Sequence, residues 1–456
     1  MISLTIDGVA VSVPEGTTIL NAAKKIGIRI PTLCYLEDIN AGGSCRMCIV
    51  EAEGSSQTYA ACSVKVREGM NIHTDTEEIR SQRKHNLELI CSNHRQDCAK
   101  CIRFPYCELH ALCREYGVDD RKNMFSRRPL RNKSFVHLDL DHSKCILCRR
   151  CVSACRQVQT IEAIKLIRQE NGTKLSLGSP KESSCLYCGQ CIKACPTGAL
   201  TVKNKAHEAG VLLMQHRKHV LALVSDEFLQ TYGEFYGSAE GVSGKVFSLL
   251  RKIGFRMIFR KTPFVNEVLK EALTEKSPVG DGRAYFFTAC PSVARFLRQN
   301  EDLRKYAVLS DEAVLQRSVS ALRSAYSGKT GIPDSQIAVI SLTSCTAEKS
   351  LVGRISGLDL SITSQEMYLL FEHLCVSTFS AVSEWKSMSS EDVADVPELK
   401  KESVLELQHI SGIKAVKGAL SDMSLRGAYL LEACPGGCRN GGGRAHSSHL
   451  EHFGIR

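Results

Sequence analysis

Eight cysteines in one short stretch carry the clearest chemical signal in this chain. They form two C-x2-C-x2-C-x3-C runs: Cys145, Cys148, Cys151 and Cys155, then Cys185, Cys188, Cys191 and Cys195. Such runs hold a pair of [4Fe-4S] clusters, and the fourth cysteine of each run binds the other cluster. The predicted ligand sets are therefore Cys145, Cys148, Cys151 with Cys195, and Cys185, Cys188, Cys191 with Cys155. A disulfide framework is disfavoured, because this tight spacing in a long chain is typical of metal sites.

A second cysteine set lies nearer the amino terminus. Its members are Cys34, Cys45, Cys48 and Cys62, with 10, 2 and 13 residues between them. The plant-type [2Fe-2S] pattern is C-x4-C-x2-C…C, so the first gap here is longer. Gly42 and Gly43 would let backbone N–H groups approach the cluster sulfurs. We predict a [2Fe-2S] cluster, with zinc as the alternative.

A third set mixes one histidine with three cysteines: His94, Cys98, Cys101 and Cys107. Its spacing fits either zinc or a [4Fe-4S] cluster. Its position between two iron–sulfur segments favours the cluster. A neutral imidazole in place of a thiolate makes such a site less negative and is expected to raise its reduction potential. Cys91 and Cys113 flank the set, and we assign them to packing or to the surface.

Four more cysteines follow apolar runs farther along the chain. The predicted parallel strands are Val220–Val224, Arg256–Phe259, Ala284–Thr288, Gln336–Leu342 and Gly427–Leu431. Cys290, Cys345, Cys434 and Cys438 come after three of these runs, and open α/β sheets bind ligands at the carboxyl ends of their strands. These four cysteines are therefore predicted to hold a further [4Fe-4S] cluster. Cys375, inside an apolar helical stretch, is predicted to be a core residue.

Local patterns place the remaining elements. Residues 2–6 and 10–13 form a predicted hairpin around Asp7-Gly8, a helix is predicted from Thr17-Thr18 to about Lys25, and another over residues 76–90. Residues 203–218 are predicted to be a polar bridge between two domains.

Composition limits the class of protein. The chain has 456 residues, 22 cysteines, 43% hydrophobic and 24% charged residues. The amino terminus lacks a signal-peptide pattern and no long apolar run predicts a membrane span, so we expect a cytoplasmic metalloprotein. The net charge is +10, partly from the segment 121–133. That segment is predicted to be a solvated linker or docking edge rather than a nucleic-acid site.

This order of motifs resembles a multi-cluster [FeFe]-hydrogenase large subunit with an amino-terminal half like that of the complex I large subunit. The resemblance implies an α+β and α/β multidomain fold. Its parts would be a β-grasp [2Fe-2S] ferredoxin domain (1–78), a small helical domain with the histidine-ligated cluster (79–120), a two-cluster ferredoxin domain (121–204) and a truncated hydrogenase-like α/β domain (205–456).

The resemblance is most specific at Cys-Pro-Gly-Gly-Cys, where Cys438 corresponds to the cysteine that bridges the family's cube to a diiron site carrying CO and cyanide. The residues expected around that site are changed. Ala289 replaces the proton-relay cysteine, and Glu348 replaces the lysine that binds cyanide. Leu351 replaces the glutamate of the proton path, and Glu432 replaces a methionine. Thr343 and Ser344 also replace the usual Met-Pro. The diiron site is therefore expected to be absent.

The resemblance implies an iron–sulfur electron-transfer subunit of a flavin-based, electron-bifurcating oxidoreductase that links NAD(P)H and ferredoxin. Its expected partners are a flavin- and NAD-binding subunit, a small [2Fe-2S] subunit and ferredoxin, with no nucleic acid and no catalytic residue of its own. The principal alternative is a sensory or low-activity [FeFe]-hydrogenase with a complete diiron site. An active hydrogenase and a cluster-assembly scaffold are further alternatives.

One [2Fe-2S] and four [4Fe-4S] clusters predict about 18 iron atoms per chain. They would use nineteen of the 22 cysteines together with His94. Iron and acid-labile sulfide analysis of anaerobically purified protein measures this number. One zinc per chain, with four fewer iron atoms, would contradict the assignment at His94.

Overall fold

The computed structural model describes residues 1–98, 101–104, 107–118, 131–132, 137–169, 172–178, 184–215, 217–233, 242–276, 284–305, 307–374, 407–422, 424–425 and 427–441. Cys375, most of the basic segment 121–133 and the glycines 442–443 lie outside these residues.

The chain begins with a five-stranded sheet in the order β2-β1-β5-β3-β4. Its strands are β1 Ile2–Ile6, β2 Val9–Val13, β3 Ile49–Ala52, β4 Thr58–Ala60 and β5 Asn71–His73. The predicted hairpin is confirmed: β1 and β2 pair antiparallel around Asp7 and Gly8, both at positive φ. Helix α1, Ile19–Lys25, begins after Thr18, whose side chain accepts a hydrogen bond from the Asn21 N–H. Alternating apolar residues of β1 and β2 pack under this helix.

Two helices follow the sheet, α2 Glu77–Ser92 and α3 Glu108–Glu115. The predicted helix over 76–90 is confirmed, with the Thr76 side chain capping the Ile79 N–H. Ile79, Leu87 and Cys91 share the buried face of α2 at helical spacing. The two helices therefore form a small apolar layer whose ends point toward the third ligand set.

The next segment is built from short pieces: β6 Arg131–Asn132, β7 Leu138–Asp141, α4 Arg150–Ser153, β8 Lys165–Gln169, β9 Gly172–Ser176, α5 Gln190–Ala194 and β10 Leu200–Val202. Strands β7 and β10 pair antiparallel and so bring the two ends of the segment together. The hairpin β8–β9 lies between the two cysteine runs. A π-helical turn, Ala154–Val158, continues α4 and contains Cys155.

Two four-stranded parallel sheets form the remainder of the described chain. The first parallel sheet has the order β12-β11-β15-β16, from β11 His219–Val224, β12 Ile258–Arg260, β15 Ile337–Thr343 and β16 Leu360–Thr363. The second has the order β14-β13-β18-β17, from β13 Ala284–Thr288, β14 Ala307–Leu309, β17 Gln408–Ser411 and β18 Gly427–Glu432. Register is parallel throughout both sheets. All five predicted strands exist, although the second begins two residues later than expected.

Helices cover these sheets: α6 Ala206–Met214, α7 Asp226–Gly233, α8 Val242–Lys252, α9 Thr262–Lys276, α10 Pro291–Gln299, α11 Glu301–Arg304, α12 Asp311–Thr330, α13 Ser364–His373 and α14 Ile413–Ser421. One face of β11 packs against α6, α7, α8 and α13, and the other against α9 and α12. Helices α10 and α14 pack against the second parallel sheet. Burial on both faces explains why these strands are continuous apolar runs.

The prediction of a polar bridge over residues 203–218 was wrong, because α6 occupies most of it. Ala206, Ala209 and Leu213 repeat at helical spacing and are buried in the core of the first parallel sheet. Gly210 leaves room for close approach, since a Cβ there would lie 3.4 Å from the Leu370 side chain. The helix was missed because small buried residues such as Ala206 and Ala209 give a weak apolar signal, and His207 and Glu208 on the exposed face make the segment look polar.

Candidate metal centres

The cysteines predicted to hold the [2Fe-2S] cluster are brought together by the loop before β3 and the turn after β4. Cys34, Cys45, Cys48 and Cys62 are all buried. They form two hydrogen-bonded pairs, Cys34 with Cys45 and Cys48 with Cys62. The Cys45 thiol lowers the pKa of Cys34 to about 6, and the Cys48 thiol lowers the pKa of Cys62 to about 7. In each pair one cysteine ionises readily. Two such pairs of sulfurs fit the two irons of a [2Fe-2S] cluster.

Backbone N–H groups also point at the sulfurs of this [2Fe-2S] set. The N–H of Cys45 lies 3.4 Å from the Cys34 sulfur, and the N–H of Gly43 points at the Cys62 sulfur. Gly43 has φ +60° and its Cβ position would lie 3.4 Å from the Ala60 Cβ. The expectation that a glycine allows the backbone to approach the sulfurs is confirmed at this residue.

His94 lies two residues beyond α2 with its ring fixed by the backbone. Its Nδ1 is 3.1 Å from the Lys144 carbonyl oxygen, so Nδ1 carries the proton and Nε2 keeps its lone pair. Burial lowers the pKa of His94, which keeps the imidazole neutral. A neutral ring with a free Nε2 is the form that binds a metal.

The three cysteines of the histidine set lie on the short chain between α2 and α3. Cys98 and Cys101 are joined by a turn in which the Cys101 N–H donates to the Cys98 carbonyl. Cys107 stands directly before α3. The sulfurs of Cys101 and Cys107 lie 3.9 and 3.7 Å from the backbone oxygens of Thr197 and Pro196. The set therefore rests on the end of the two-cluster segment.

The eight central cysteines separate into two groups with exchanged members. One cavity is lined by Cys145, Cys148, Cys151 and Cys195. A second is lined by Cys155, Cys185, Cys188 and Cys191. These are the two sets that the sequence predicts, each completed by the last cysteine of the other run.

The two groups share one backbone design. Leu147 and Arg149 in the first run, and Tyr187 and Gly189 in the second, have positive φ at equivalent positions. These turns aim the N–H of Leu147 at the Cys145 sulfur and the N–H of Tyr187 at the Cys185 sulfur. Successive N–H groups pointing inward form a concave site that favours anions.

Burial raises the pKa of Cys145 and Cys185 to about 11 and the pKa of Cys148 to about 12. These buried groups would stay protonated as thiols, because a thiolate in an apolar site is poorly solvated. Iron supplies the positive charge that stabilises such thiolates. The cysteines therefore fit iron–sulfur clusters.

One buried side chain links the [2Fe-2S] set to the two-cluster segment. The Asn40 amide nitrogen donates to the Cys34 carbonyl at 2.6 Å and to the Cys148 carbonyl at 3.1 Å. Its oxygen accepts from the Ser153 hydroxyl at 3.0 Å. Asn40 thus ties the backbones of two ligand cysteines from different sets.

The Lys144 carbonyl makes a comparable link next to Cys145. It accepts from His94 Nδ1 at 3.1 Å and from the Thr197 hydroxyl at 2.7 Å. A third junction joins the second cube's set to the carboxyl-terminal domain. There the Thr346 hydroxyl donates to the Tyr187 carbonyl at 2.5 Å, and Arg295 Nε donates to the Cys185 carbonyl at 2.7 Å.

The last four cysteines lie on loops that follow strands of both parallel sheets. Cys290 follows β13, Cys345 follows β15, and Cys434 and Cys438 follow β18. Burial raises the pKa of all four, and the charges of neighbouring cysteines add to the effect at Cys345, Cys434 and Cys438. The structure therefore places four buried or partly buried thiols on three neighbouring loops.

Two threonines shape these loops in the same way. The Cys290 N–H donates to the Thr288 hydroxyl, and the Cys345 N–H donates to the Thr343 hydroxyl, each at 3.1 Å. Gly441 brings the third loop against the second, because a Cβ on it would clash with the Ser344 carbonyl. The backbone of the third loop can lie against residue 344 only without a side chain at position 441.

A cavity of about 280 Å³ opens beside Cys290, Cys345 and Cys438. Changed residues from all three loops line it: Ala289, Thr343, Glu348, Leu351 and Glu432. Ser344 does not; its hydroxyl lies 3.3 Å from the Ser364 hydroxyl. The departures from the hydrogenase pattern therefore converge on one space.

A buried ion pair occupies one wall of the cavity. Lys261 Nζ binds the Glu348 carboxylate, which also accepts from the Ser341 hydroxyl at 2.5 Å. Both residues are buried. Lys261 was not predicted from the sequence, although it follows β12 directly and the rule for carboxyl ends of strands applies to it as well.

Carboxyl groups also lie next to Cys438. The Cys438 thiol donates to Glu432 Oε1 at 3.2 Å, and Glu432 Oε2 lies 3.5 Å from His409 Nδ1. Burial raises the pKa of Glu227, whose remaining exposed surface faces the cavity. Two acidic side chains therefore flank the cysteine that the resemblance assigns as the bridge. Glu227 and His409 were not found from the sequence.

A larger cleft, of about 730 Å³, lies between the amino-terminal sheet and α2–α3. Its lining contains none of the predicted ligands. Its charges pair with one another, Arg29 with Glu115 and Arg80 with Asp75. It is a structural junction.

Models of four protein families match successive parts of the chain. They are a 2Fe-2S iron-sulfur cluster binding domain over residues 1–77, the NADH-ubiquinone oxidoreductase-G iron-sulfur binding region over 83–122, a 4Fe-4S dicluster domain over 144–199, and the carboxyl-terminal domain of the iron only hydrogenase large subunit over 218–391. The chain joins complex I-type iron–sulfur domains to an iron-only hydrogenase large-subunit domain. It is thus a mixed α/β multidomain protein with cluster-binding domains of the 2Fe-2S and 4Fe-4S types.

Two relatives show the range of similarity. The NADP-reducing hydrogenase subunit of Solidesulfovibrio fructosivorans is 28% identical over 98% of this chain and 89% of its own length. The alpha subunit of the NADPH-Fe(3+) oxidoreductase of Geobacter sulfurreducens is 36% identical over 44% of this chain, which spans only 24% of that relative. A solved NAD+-reducing [NiFe]-hydrogenase chain is 28% identical over 44% of this chain and 87% of its own, with a TM-score of 0.41. Within the described residues, no helix has the length and apolar character needed to span a membrane.

We predict that Gly441→Ala disrupts the site of the last four cysteines. The added methyl group would displace the loop after β18 from Ser344. Iron content should fall by about four atoms per chain, the content of one cube. Gly418→Ala is the matched control: it lies within α14 and its Cβ would have no neighbour within 4 Å. Full iron content in Gly441→Ala would contradict this role.

We predict that Glu348→Ala destabilises the carboxyl-terminal domain by about 3–5 kcal/mol, because it leaves Lys261 buried without its partner. The control is Glu271→Ala, which removes an exposed partner of Arg317 and should change the free energy of unfolding little. Denaturant titration of the anaerobic protein measures both. Equal effects would show that the Lys261 ammonium is solvated in the native protein.

Proposed function

We propose that this chain is a cytoplasmic iron–sulfur electron-transfer subunit of an oxidoreductase that links NAD(P)H and ferredoxin, with a fourth cube that carries no diiron site. The observation that supports it most directly is the cavity beside Cys438. In the hydrogenase pattern a lysine there binds cyanide and a cysteine carries protons. Here the corresponding residues are Glu348 and Ala289.

Charge explains why the cavity does not suit cyanide. A lysine ammonium and a cyanide anion form a charge-assisted pair. The ammonium of Lys261 is already paired with Glu348, and Glu227 and Glu432 add acidic groups to the lining. An anion entering this space would meet carboxyl groups and no unpaired ammonium among the described lining residues.

The ligand sets that we propose follow the grouping of side chains. One [2Fe-2S] cluster is held by Cys34, Cys45, Cys48 and Cys62, and four [4Fe-4S] clusters by the histidine set, the two central sets and the last four cysteines. Bound clusters would supply one-electron carriers. The protein's part is to hold neighbouring sets at fixed separations, which the contacts of Asn40, the Lys144 carbonyl and Thr346 support.

The partners follow from the relatives. Their printed names describe subunits of NADP-reducing, NADPH-Fe(3+) and NADH-quinone enzymes. The chain carries no dinucleotide-binding glycine motif. We therefore propose that a flavin- and NAD-binding subunit and a small [2Fe-2S] subunit provide the nucleotide chemistry, in an electron-bifurcating complex. The domain limits 1–78, 79–120, 121–204 and 205–456 are part of this proposal.

A sensory or low-activity hydrogenase is the second candidate. The near full-length similarity to a subunit of a NADP-reducing hydrogenase favours it. The absence of a relay cysteine at Ala289 is compatible with a sensory hydrogenase. Glu348 argues against it, because a carboxylate stands where a lysine would bind cyanide.

The two candidates differ in a direct assay. Anaerobic protein, purified with its clusters and reduced with dithionite, should show paramagnetic resonance signals of reduced clusters and evolve no dihydrogen above the protein-free blank. Cys438→Ser provides the matched control. Dihydrogen evolution that disappears in this variant would favour the hydrogenase.

We predict that Asn40→Ala slows electron exchange between the [2Fe-2S] set and the first cube several-fold, because two backbone carbonyls lose the donor that ties them together. Freeze-quenched paramagnetic resonance follows the two signals separately. Asn71→Ala is the control, since Asn71 pairs with Glu53 on the same sheet, away from the junction. Equal rates in both variants would show that Asn40 does not set the separation.

A further inference from the structure

Two cysteines outside the five proposed ligand sets lie against each other. The sulfurs of Cys91, in the last turn of α2, and Cys113, in α3, are 3.3 Å apart. Their exposed fractions are 6% and 5%. Helix α2 and helix α3 therefore meet at a pair of thiols.

The pair belongs to a buried cluster that contains apolar side chains and ligand cysteines. Its cluster of buried residues includes Met47, Leu87, Leu109 and Leu112, together with Cys34, Cys45, Cys107 and Cys148. Those four cysteines belong to three different ligand sets. The thiol pair thus shares one buried cluster with ligand cysteines of the proposed [2Fe-2S], histidine-ligated and first central sets.

The position of the pair in the chain is equally specific. His94, Cys98, Cys101 and Cys107 all lie between Cys91 and Cys113. A bond between the two sulfurs would close a loop that contains the whole histidine set. It would also join the end of α2, close to His94, to the helix that begins directly after Cys107.

The distance is compatible with bond formation. A disulfide has an S–S length of about 2.05 Å, so the sulfurs need to approach by little more than an ångström. Rotation about each Cα–Cβ bond moves the sulfurs relative to each other over distances of this size. Two buried cysteines can also serve only as small apolar residues. A packing role does not explain why the pair encloses the histidine set in the chain.

We propose that Cys91 and Cys113 form a redox-active dithiol that peroxide converts to a disulfide, clamping α2 to α3 around the histidine set. In the first step one thiol is oxidised to a sulfenic acid, the O–O bond of hydrogen peroxide breaks, and one water leaves. In the second step the other thiol displaces the hydroxyl group as a second water and the S–S bond forms. The two sulfurs lose two electrons and two protons in total, and the peroxide is reduced to water.

The clamp has a consequence for cluster loss. Peroxide attacks iron–sulfur clusters as well as thiols, and an emptied histidine set would leave its buried residues without the metal that joins them. A closed loop restricts the unfolded conformations of that segment. The disulfide would hold the two helix ends in place until iron and sulfide are supplied again.

The test uses the full chain, purified anaerobically with its clusters. A few equivalents of hydrogen peroxide are added, the sample is quenched in acid and alkylated, and its peptides are analysed by mass spectrometry. We expect a Cys91–Cys113 linked peptide, lighter than the two thiol peptides by two hydrogen atoms, at peroxide doses below those that link the ligand cysteines. Linked peptides that join ligand cysteines first, or that join Cys91 to several partners equally, would overturn the proposal.

A second measurement tests the clamp itself. After peroxide treatment, iron and sulfide are returned without a thiol reductant, and the histidine-set signal is followed by paramagnetic resonance. Recovery should be several-fold faster in the native chain than in Cys113→Ala, whose small side chain preserves an apolar contact. Pretreatment of the native chain with a dithiol reductant should remove the difference. Equal recovery in both proteins would show that the pair has only a packing role.

Discussion

The cost of burying sulfur anions governs this structure. Nearly all of the proposed ligand cysteines lie in apolar surroundings, and burial raises the pKa of most of them, as it does at Cys145, Cys185 and Cys345. A thiolate in such a place is stable only beside a strong positive charge. Iron provides that charge, and inward-pointing N–H groups at the left-handed residues of each run add to it. We therefore expect the folding of these segments to depend on cluster loading, as in other proteins where metal binding and folding are coupled.

A second constraint is that neighbouring sites must keep fixed separations. Short segments carry most of the ligands, and few of them have a large core of their own. The structure solves this with hydrogen bonds from buried side chains to the backbone of ligand residues. Asn40 binds the carbonyls of Cys34 and Cys148, and His94 and Thr197 share the Lys144 carbonyl. These contacts connect neighbouring ligand sets directly, in addition to the chain that runs between them.

Much of this arrangement could be predicted from the sequence, because cluster ligands have characteristic spacings and parallel strands are continuous apolar runs. The exchanged fourth cysteines of the two central sets follow from spacing alone. Other features depend on distant residues that local patterns do not reveal. The division of the parallel strands into two sheets, the pairing of Lys261 with Glu348 and the approach of Cys91 to Cys113 are of this kind. Helix α6 was missed for a different reason, since small buried residues such as Ala206 and Ala209 give a weak apolar signal.

The site formed by Cys290, Cys345, Cys434 and Cys438 distinguishes an electron-transfer subunit from a hydrogenase. Its four thiols are in place, while the cavity next to it has exchanged a cation for an ion pair and a thiol for a methyl group at Ala289. The most direct measurement is infrared spectroscopy of the chain after co-expression with the machinery that inserts the diiron site. We predict no bands of iron-bound CO or cyanide, in a sample whose cubes are all reducible. Such bands, accompanied by dihydrogen uptake, would contradict the account and show that the cavity holds a complete hydrogenase centre.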